Sequence, residues 1–280
     1  MKALSFKRFN EEYQNVVEAV YRHWTPQMQM ELASNNEGWN LDRFNFGTYL
    51  RASSIRFYRA YRSFAEKEGK QTVCDVGGFW GVFPITLKRL GYDVTMTESV
   101  QYYGDSFTQL FKYIANQGVA VLDYDPFQEK TLQLGQFDVV SLMAFLEHYP
   151  HSLKTLMQNI VSLIKPGGNL YIEVQNIAFW PKRINLLLGR TPLVPLNLIF
   201  QSQVPFIGHH HEFTISELRD LIHLSGLVVS REYFYNYSPE ALPGLRMLFC
   251  NPLQFLSWLF LADSRECLAV FCRLQEDQQR

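Results

Sequence analysis

Short apolar runs alternate with amphipathic stretches through the middle of the chain. Strands that alternate with helices are typical of right-handed βαβ units and of a parallel sheet. The run at residues 169–175 is opened by the turn Lys165-Pro166-Gly167-Gly168. Predicted strands lie at residues 72–76, 92–97, 119–122, 137–143, 169–175, 227–235 and 266–274, with helices predicted at 82–90, 102–116, 152–164 and 217–225.

The pattern before residue 70 differs, because apolar residues there follow a helical period. Tyr13, Val16, Val17 and Val20 recur at helical spacing, and Pro26 interrupts the first segment. Residues 1–70 are therefore expected to form an N-terminal helical cap. The remaining pattern predicts an α/β domain over residues 71–275.

Two stretches of this domain break the alternation. Residues 177–213 carry four prolines among apolar residues, which predicts an irregular lid insertion. Residues 243–263 form a second, apolar insertion before the last strand. Regularity returns after the lid at Thr214 and Glu217, which are spaced as a capping box.

Composition and charge exclude several classes of protein. Among 280 residues, 26 Lys and Arg balance 27 Asp and Glu, so no excess positive charge is present for a nucleic-acid partner. Four cysteines without CxxC pairing predict neither a disulfide framework nor a zinc site, and no metal is expected. The first residues reach charge before a signal-peptide-like run forms. A cytoplasmic location is expected, with peripheral membrane contact left open.

A glycine-containing turn follows the first predicted strand. It runs Asp75-Val76-Gly77-Gly78-Phe79-Trp80-Gly81, and such a turn exposes backbone N–H groups to a ligand. Glu98 ends the next strand, where an acid can accept both hydroxyls of a ribose. Asp123 and Tyr124 follow the third strand, where they could contact an adenine. Turn-forming glycines, a strand-end carboxylate and an Asp-Pro turn signal are the plainer alternatives.

These motifs, in this order, resemble those of class I S-adenosylmethionine-dependent methyltransferases of the small-molecule type. The family's D-x-G-x-G-x-G is matched by Asp75, Gly77 and Gly81, with Phe79 in place of the middle glycine. The resemblance implies a Rossmann-like seven-stranded, mostly parallel sheet with helices on both faces and strand order 3-2-1-4-5-7-6. It implies S-adenosylmethionine as cofactor. The implied cofactor-binding residues are Asp75, Gly77, Gly78, Phe79, Gly81, Glu98, Asp123 and Tyr124.

Methyl transfer to a hydroxyl group would also need a base to remove the hydroxyl proton, and histidine titrates near neutrality. Glu147-His148 lies just past the fourth strand, and His209, His210 and His211 precede the capping box. In an extended stretch, His209 and His211 would face one way and His210 the other. His148, His209 and His211 are therefore the candidate catalytic residues, although His148 could simply cap a turn. Three adjacent histidines have poor geometry for a metal.

The predicted function is methyl transfer to a small-molecule or glycan- or lipid-linked acceptor, most readily at a hydroxyl oxygen. The alternatives are a methyltransferase-like binding protein without activity, which Phe79 keeps open, and a nicotinamide-dependent oxidoreductase. Basic residues in the lid (Lys182, Arg183, Arg190) could hold an anionic group, although solvated surface charge is favoured. The run 253–262 could rest on a bilayer, although core packing or a dimer contact is favoured.

Overall fold

A seven-stranded sheet organises the chain in the order β3-β2-β1-β4-β5-β7-β6. The computed structural model describes residues 3–35, 41–66, 71–125, 135–202, 206, 208–238, 249 and 252–275. β7 runs antiparallel to both of its neighbours, and the other pairings are parallel. The strands are β1 Thr72–Val76, β2 Asp93–Glu98, β3 Ala120–Asp123, β4 Phe137–Met143, β5 Ile164–Gln175, β6 Leu227–Tyr235 and β7 Cys267–Leu274. The expected fold class and strand order are confirmed.

Helices cover both faces of the sheet and precede it. The buried apolar side chains form two clusters, one on either side of the strands. The helices are α1 Phe6–Tyr21, α2 Pro26–Asn35, α3 Phe46–Ala52, α4 Ser54–Phe64, α5 Val82–Arg89, α6 Thr108–Asn116, α7 Leu153–Ser162, α8 Trp180–Leu187, α9 Leu196–Gln201, α10 Ile215–Leu224 and α11 Pro252–Phe260. The capping box at the start of α10 is present as predicted.

The N-terminal helices pack on the sheet domain through α1. Its buried side chains are those that the helical period marked: Phe9, Tyr13, Val16, Val17 and Val20. These residues belong to the same apolar cluster as Val73 and Val139 of the sheet. The cap and the sheet therefore share one core on this face.

Two predicted boundaries are wrong by five residues or more, and the other strand and helix bounds given above agree within two residues. The helix predicted from residue 102 begins at Thr108, because residues 100–102 and 105–107 form separate short 3₁₀ turns on either side of Gly104. The strand predicted from residue 169 begins at Ile164, because the Pro-Gly-Gly segment stays in the sheet through the pairing of Phe137 with Ile164.

The two insertions also differ from the prediction. The lid was expected to be irregular, yet it contains α8 and α9. The expectation that the run 253–262 packs in the core is wrong, because α11 buries only Ser257 and exposes most of its apolar side chains. Within the described ranges, no helix combines the length and the apolar character needed to cross a bilayer.

Candidate functional site

The glycine turn joins β1 to α5 at the carboxyl edge of the sheet. Gly77 has φ 72°, and a Cβ built there would come within 2.7 Å of the Phe145 ring. The N–H groups of Gly77 and Gly78 donate to the Thr97 carbonyl at 3.0 and 3.1 Å. Glycine at position 77 is therefore required both by the left-handed backbone and by the close approach of Phe145.

Phe79 also has a left-handed backbone, with φ 51°. Its ring stacks on Trp80 with centroids 4.8 Å apart and planes 13° apart. Its N–H donates to Oε2 of Glu98 at 2.8 Å. The loop therefore takes, with a phenylalanine, a conformation that usually favours glycine. This ring contact and hydrogen bond hold it there.

Two carboxyl groups lie on one wall beside this turn. Asp75 is buried and accepts a hydrogen bond from the Ser141 hydroxyl at 2.5 Å. Burial raises the pKa of Asp75 to about 7, although the bond from Ser141 opposes the shift. Burial likewise raises the pKa of Glu98 to about 7 against the opposing bond from the Phe79 N–H.

A pocket of about 450 Å³ opens beside these carboxyls. Most of the residues predicted for the cofactor or for catalysis line it: Asp75, Gly77, Gly78, Phe79, Glu98, Tyr124, His148 and His209. Their backbones lie at or just beyond the ends of β1, β2, β3 and β4, which adjoin one another in the sheet, except for His209, which lies shortly before α10. The topology therefore brings together groups that are far apart in sequence.

Three predicted residues do not line the pocket. Gly81 is the N-cap of α5, with φ 71°. Asp123 is exposed and accepts a hydrogen bond from the Val100 N–H at 3.1 Å. His211 is exposed, lies 3.5 Å from Oε1 of Glu217 and packs on Phe213. For these residues the structure shows structural partners instead of pocket positions.

The expectation that His209 and His211 face one way and His210 the other is wrong. The N–H groups of His210 and His211 both point at the Glu147 carbonyl, at 2.6 and 3.4 Å. The chain therefore turns around that oxygen instead of staying extended, and His209 alone of the three lines the pocket.

His148 and His209 form a polar corner of the pocket, with ring centroids 4.8 Å apart. Nδ1 of His209 lies 2.9 Å from Oε1 of Glu212, which also pairs with Lys182 of α8. Burial alone would raise the pKa of Glu212, but the bond with His209 and the charge of Lys182 outweigh it and lower the pKa. Glu212 therefore stays ionised and orients the His209 ring.

Glu147 lies behind this corner and is fully buried. Neither of its carboxylate oxygens has a hydrogen-bond partner within the described part of the chain, and burial raises its pKa to about 7. Glu147, His148 and His209 each offer one ligand atom, and these atoms lie within 4.8 Å of one another. The set is one that a divalent cation accepts, and it differs from the three adjacent histidines considered above.

Sequence reasoning missed the part of the pocket wall that the N-terminal segment supplies. The residues involved are mainly apolar: Leu32, Leu41, Phe46, Tyr49, Leu50 and Phe57. Arg56 of α4 also lines the pocket and forms two hydrogen bonds, of 3.0 and 2.8 Å, with the buried Glu173 of β5. No local pattern could reveal this wall, because its residues meet the pocket only through tertiary packing.

The fold and this pocket define a doubly wound α/β protein with a ligand site at the carboxyl edge of its sheet. Residues 48–232 match the family model described as a methyltransferase domain. This match spans more than half of the chain, and the chain belongs to that family.

Known relatives and solved structures agree with this family assignment. The ubiquinone biosynthesis O-methyltransferase of Shewanella halifaxensis is 27% identical over 182 residues, which cover 61% of this chain and 69% of the relative. A protein of the same name from Xanthomonas campestris is 30% identical over 107 residues, 37% of this chain and 43% of the relative. The chain thus spans less than half of that relative.

One similar solved structure is the Burkholderia thailandensis 1,6-didemethyltoxoflavin-N1-methyltransferase with bound S-adenosylhomocysteine. Its TM-score is 0.54 at 14% identity, and the match covers 90% of this chain and 88% of that protein's chain. An S-adenosylmethionine-dependent methyltransferase from Mesorhizobium loti has a TM-score of 0.50 at 14% identity, covering 79% and 97%. At these identities the likeness shows the shared fold.

The chain is therefore an S-adenosylmethionine-dependent methyltransferase, and the nicotinamide alternative is set aside. The residues present fit this cofactor, because the turn at Gly77 leaves no room for a Cβ and two carboxyl groups share the adjoining wall. Asp75 suits a cationic group, and Glu98 suits a pair of hydroxyls.

Proposed function

We propose that this enzyme methylates a hydroxyl oxygen of a small, largely apolar acceptor. The lining of the pocket supports this choice, because the cap side is built from aliphatic and aromatic side chains, including Leu41, Phe46 and Phe57. Such a wall favours a ring or an alkyl chain over a bare sugar. The two ubiquinone-biosynthesis relatives are named as O-methyltransferases, which agrees with an oxygen acceptor.

The observation that carries the proposal is the pairing of His209 with Glu212. A histidine in the pocket wall, with Nδ1 held by a buried carboxylate, leaves Nε2 to accept a proton. This is the arrangement that a general base requires. In the corresponding reaction Nε2 of His209 would take the proton of the acceptor hydroxyl, and the oxygen would receive the methyl group that bound S-adenosylmethionine supplies.

When bound, S-adenosylmethionine supplies a methyl group activated by its sulfonium charge. Asp75 and Glu98 would hold the cofactor, and the cap residues that line the same pocket would position the acceptor. His148 packs against the His209 ring and limits its rotation. Positioning of this kind accounts for a large share of the rate gain in displacement reactions, up to about 7–11 kcal/mol.

The test is turnover on hydroxylated aromatic and alkyl acceptors, compared with sugars. We expect His209→Ala to lower kcat about 100-fold or more while leaving S-adenosylmethionine affinity unchanged. Glu212→Gln should lower kcat less, because it removes only the orientation of the ring. His211→Ala is the matched control, since this histidine lies outside the pocket. Equal loss in His211→Ala, or none in His209→Ala, would remove His209 as the base.

A chelator distinguishes a base from a metal ligand at the same corner. We expect dialysis against EDTA to leave turnover unchanged, because His209 acts through Nε2 without a cation. If activity were lost and then restored by Zn²⁺ or Mn²⁺, then Glu147, His148 and His209 would be reassigned as ligands.

A further inference from the structure

Most of the large apolar side chains that the structure leaves exposed lie in residues 186–200 and 249–261. At the end of α8, Leu187 is 80% exposed, and Leu186 and Leu188 are exposed beside it. On α11, Leu253, Leu259 and Phe260 are each more than half exposed. Soluble monomers rarely concentrate apolar surface in this way.

These two segments contact each other. α8 packs against α11, and Arg183 of α8 pairs with Asp263 just after α11 at 3.1 Å. The exposed side chains at the end of α8 and along α11 are called here the α8–α11 surface. It is a tertiary feature, because the two helices are separated by about one quarter of the chain.

The α8–α11 surface lies at the same edge of the sheet as the pocket. α8 follows the end of β5 and α11 leads into the start of β7, and these strand ends pair at Gln175 and Cys267. Lys182 of α8 also pairs with Glu212, the residue that holds His209 in the pocket wall. The surface therefore adjoins the site of chemistry.

The charge left unpaired around this surface is positive. Residues 177–206 and 249–262 contain no Asp or Glu but include Lys182, Arg183 and Arg190. Lys182 and Arg183 are paired with Glu212 and Asp263, whereas Arg190 is exposed and makes no ion pair with any described residue. A second copy of the chain would bring the same unpaired positive charge of Arg190 to the contact, with no acidic residue of these two segments to pair with it. Anionic phospholipid headgroups are complementary to it.

We propose that the α8–α11 surface docks on an anionic lipid bilayer and thereby brings the pocket to the membrane–water interface. Leucine and phenylalanine side chains insert among the acyl chains, and Arg190 contacts the headgroups. The proposal goes beyond methyl transfer and is tested without turnover. Its failure would therefore leave the proposed reaction untouched.

The test is co-sedimentation of the full chain with vesicles of phosphatidylcholine alone or with added phosphatidylglycerol. We expect binding to the anionic vesicles, and loss of at least about tenfold in the double variant Leu187→Glu/Phe260→Glu. Leu224→Glu is the matched control, because Leu224 is 84% exposed but ends α10 at the opposite edge of the sheet. Retained S-adenosylmethionine binding shows that the variants fold.

The variant Arg190→Gln isolates the electrostatic contribution to vesicle binding. Neutralising one basic residue near a charged bilayer should weaken binding to the anionic vesicles about fivefold and leave the residual binding to neutral vesicles unchanged. Absence of vesicle binding, or equal loss in Leu224→Glu, would overturn the proposal. So would a dimer in light scattering that the double variant abolishes, because the surface would then belong to a second copy.

Discussion

Phe79 shows how a single residue departs from a motif without destroying the loop. A left-handed backbone costs a residue with a Cβ about 1–2 kcal/mol relative to glycine. The stack on Trp80 and the bond from the Phe79 N–H to Glu98 offset this strain. In the sequence, Phe79 was the one feature that kept open a methyltransferase-like binding protein without activity. The family match identifies the chain as an enzyme.

The strain at Phe79 can be measured with two variants. Phe79→Ala and Phe79→Gly both remove the ring, but only glycine relieves the left-handed backbone at φ 51°. We therefore expect Phe79→Gly to be more stable to urea than Phe79→Ala by about 1 kcal/mol. Both should still bind S-adenosylmethionine in a calorimeter. The reverse order of stability would contradict the left-handed conformation.

The carboxyls of Asp75 and Glu98 make cofactor affinity depend on pH. Burial raises the pKa of each to about 7, so both are partly protonated at neutral pH. Binding a cation favours the ionised form, and affinity should therefore rise with pH and level off above about 7. Below that value we expect about a tenfold loss of affinity per pH unit for each titrating group.

Calorimetric titrations with S-adenosylmethionine between pH 6 and pH 8 measure this dependence. Asp75→Asn isolates the contribution of one carboxyl, because the amide does not titrate. The variant should bind more weakly at pH 8 and show a shallower dependence on pH. An unchanged slope would mean that Asp75 does not ionise on binding.

At the scale of elements, one buried ion pair joins the N-terminal helices to the sheet. Arg56 of α4 and Glu173 of β5 lie 117 residues apart, and both side chains are almost wholly buried. The Tyr235 hydroxyl donates to Glu173 at 2.8 Å, and the Arg56 guanidinium lies over the Tyr237 ring. The charges are thus satisfied only while the cap stays docked.

Removal of one partner of this pair should be costly. Arg56→Met leaves the Glu173 carboxylate buried without its counter-ion, which typically costs about 3–5 kcal/mol. The exposed pair of Arg51 with Glu18, at 2.7 Å, provides the control, and Arg51→Met should cost less than about 1 kcal/mol. Urea unfolding followed by far-UV circular dichroism measures both. Similar losses in the two variants would contradict the structural role of the buried pair.

For the whole molecule, prediction from the sequence succeeded where the signal was local. The bounds of β1, β4 and β6 follow from short, predominantly apolar runs, and they match the structure residue for residue. That Asp75 and Glu98 line one pocket could be predicted, because they sit at strand ends, which a parallel sheet brings together. The cap wall and the orientation of His209 were not found, because both depend on contacts between distant segments.

Because the cap and the sheet line one pocket, the cofactor should stabilise the whole molecule. A ligand that binds only the folded state at 100 times its dissociation constant adds about 2.7 kcal/mol. For a chain of this size that corresponds to a rise in Tm of about 5–10 °C. We expect S-adenosylmethionine and its demethylated product to produce such a shift in differential scanning fluorimetry, and NAD to produce none.

Asp75→Ala and Leu224→Ala provide the matched pair for this measurement. The first removes a carboxyl from the pocket wall and should abolish the shift, whereas the second alters an exposed residue far from the pocket and should keep it. A shift with NAD would reopen the nicotinamide alternative. A full shift in Asp75→Ala would mean that the cofactor is held without this carboxyl, and that the Glu98 side of the wall carries the binding.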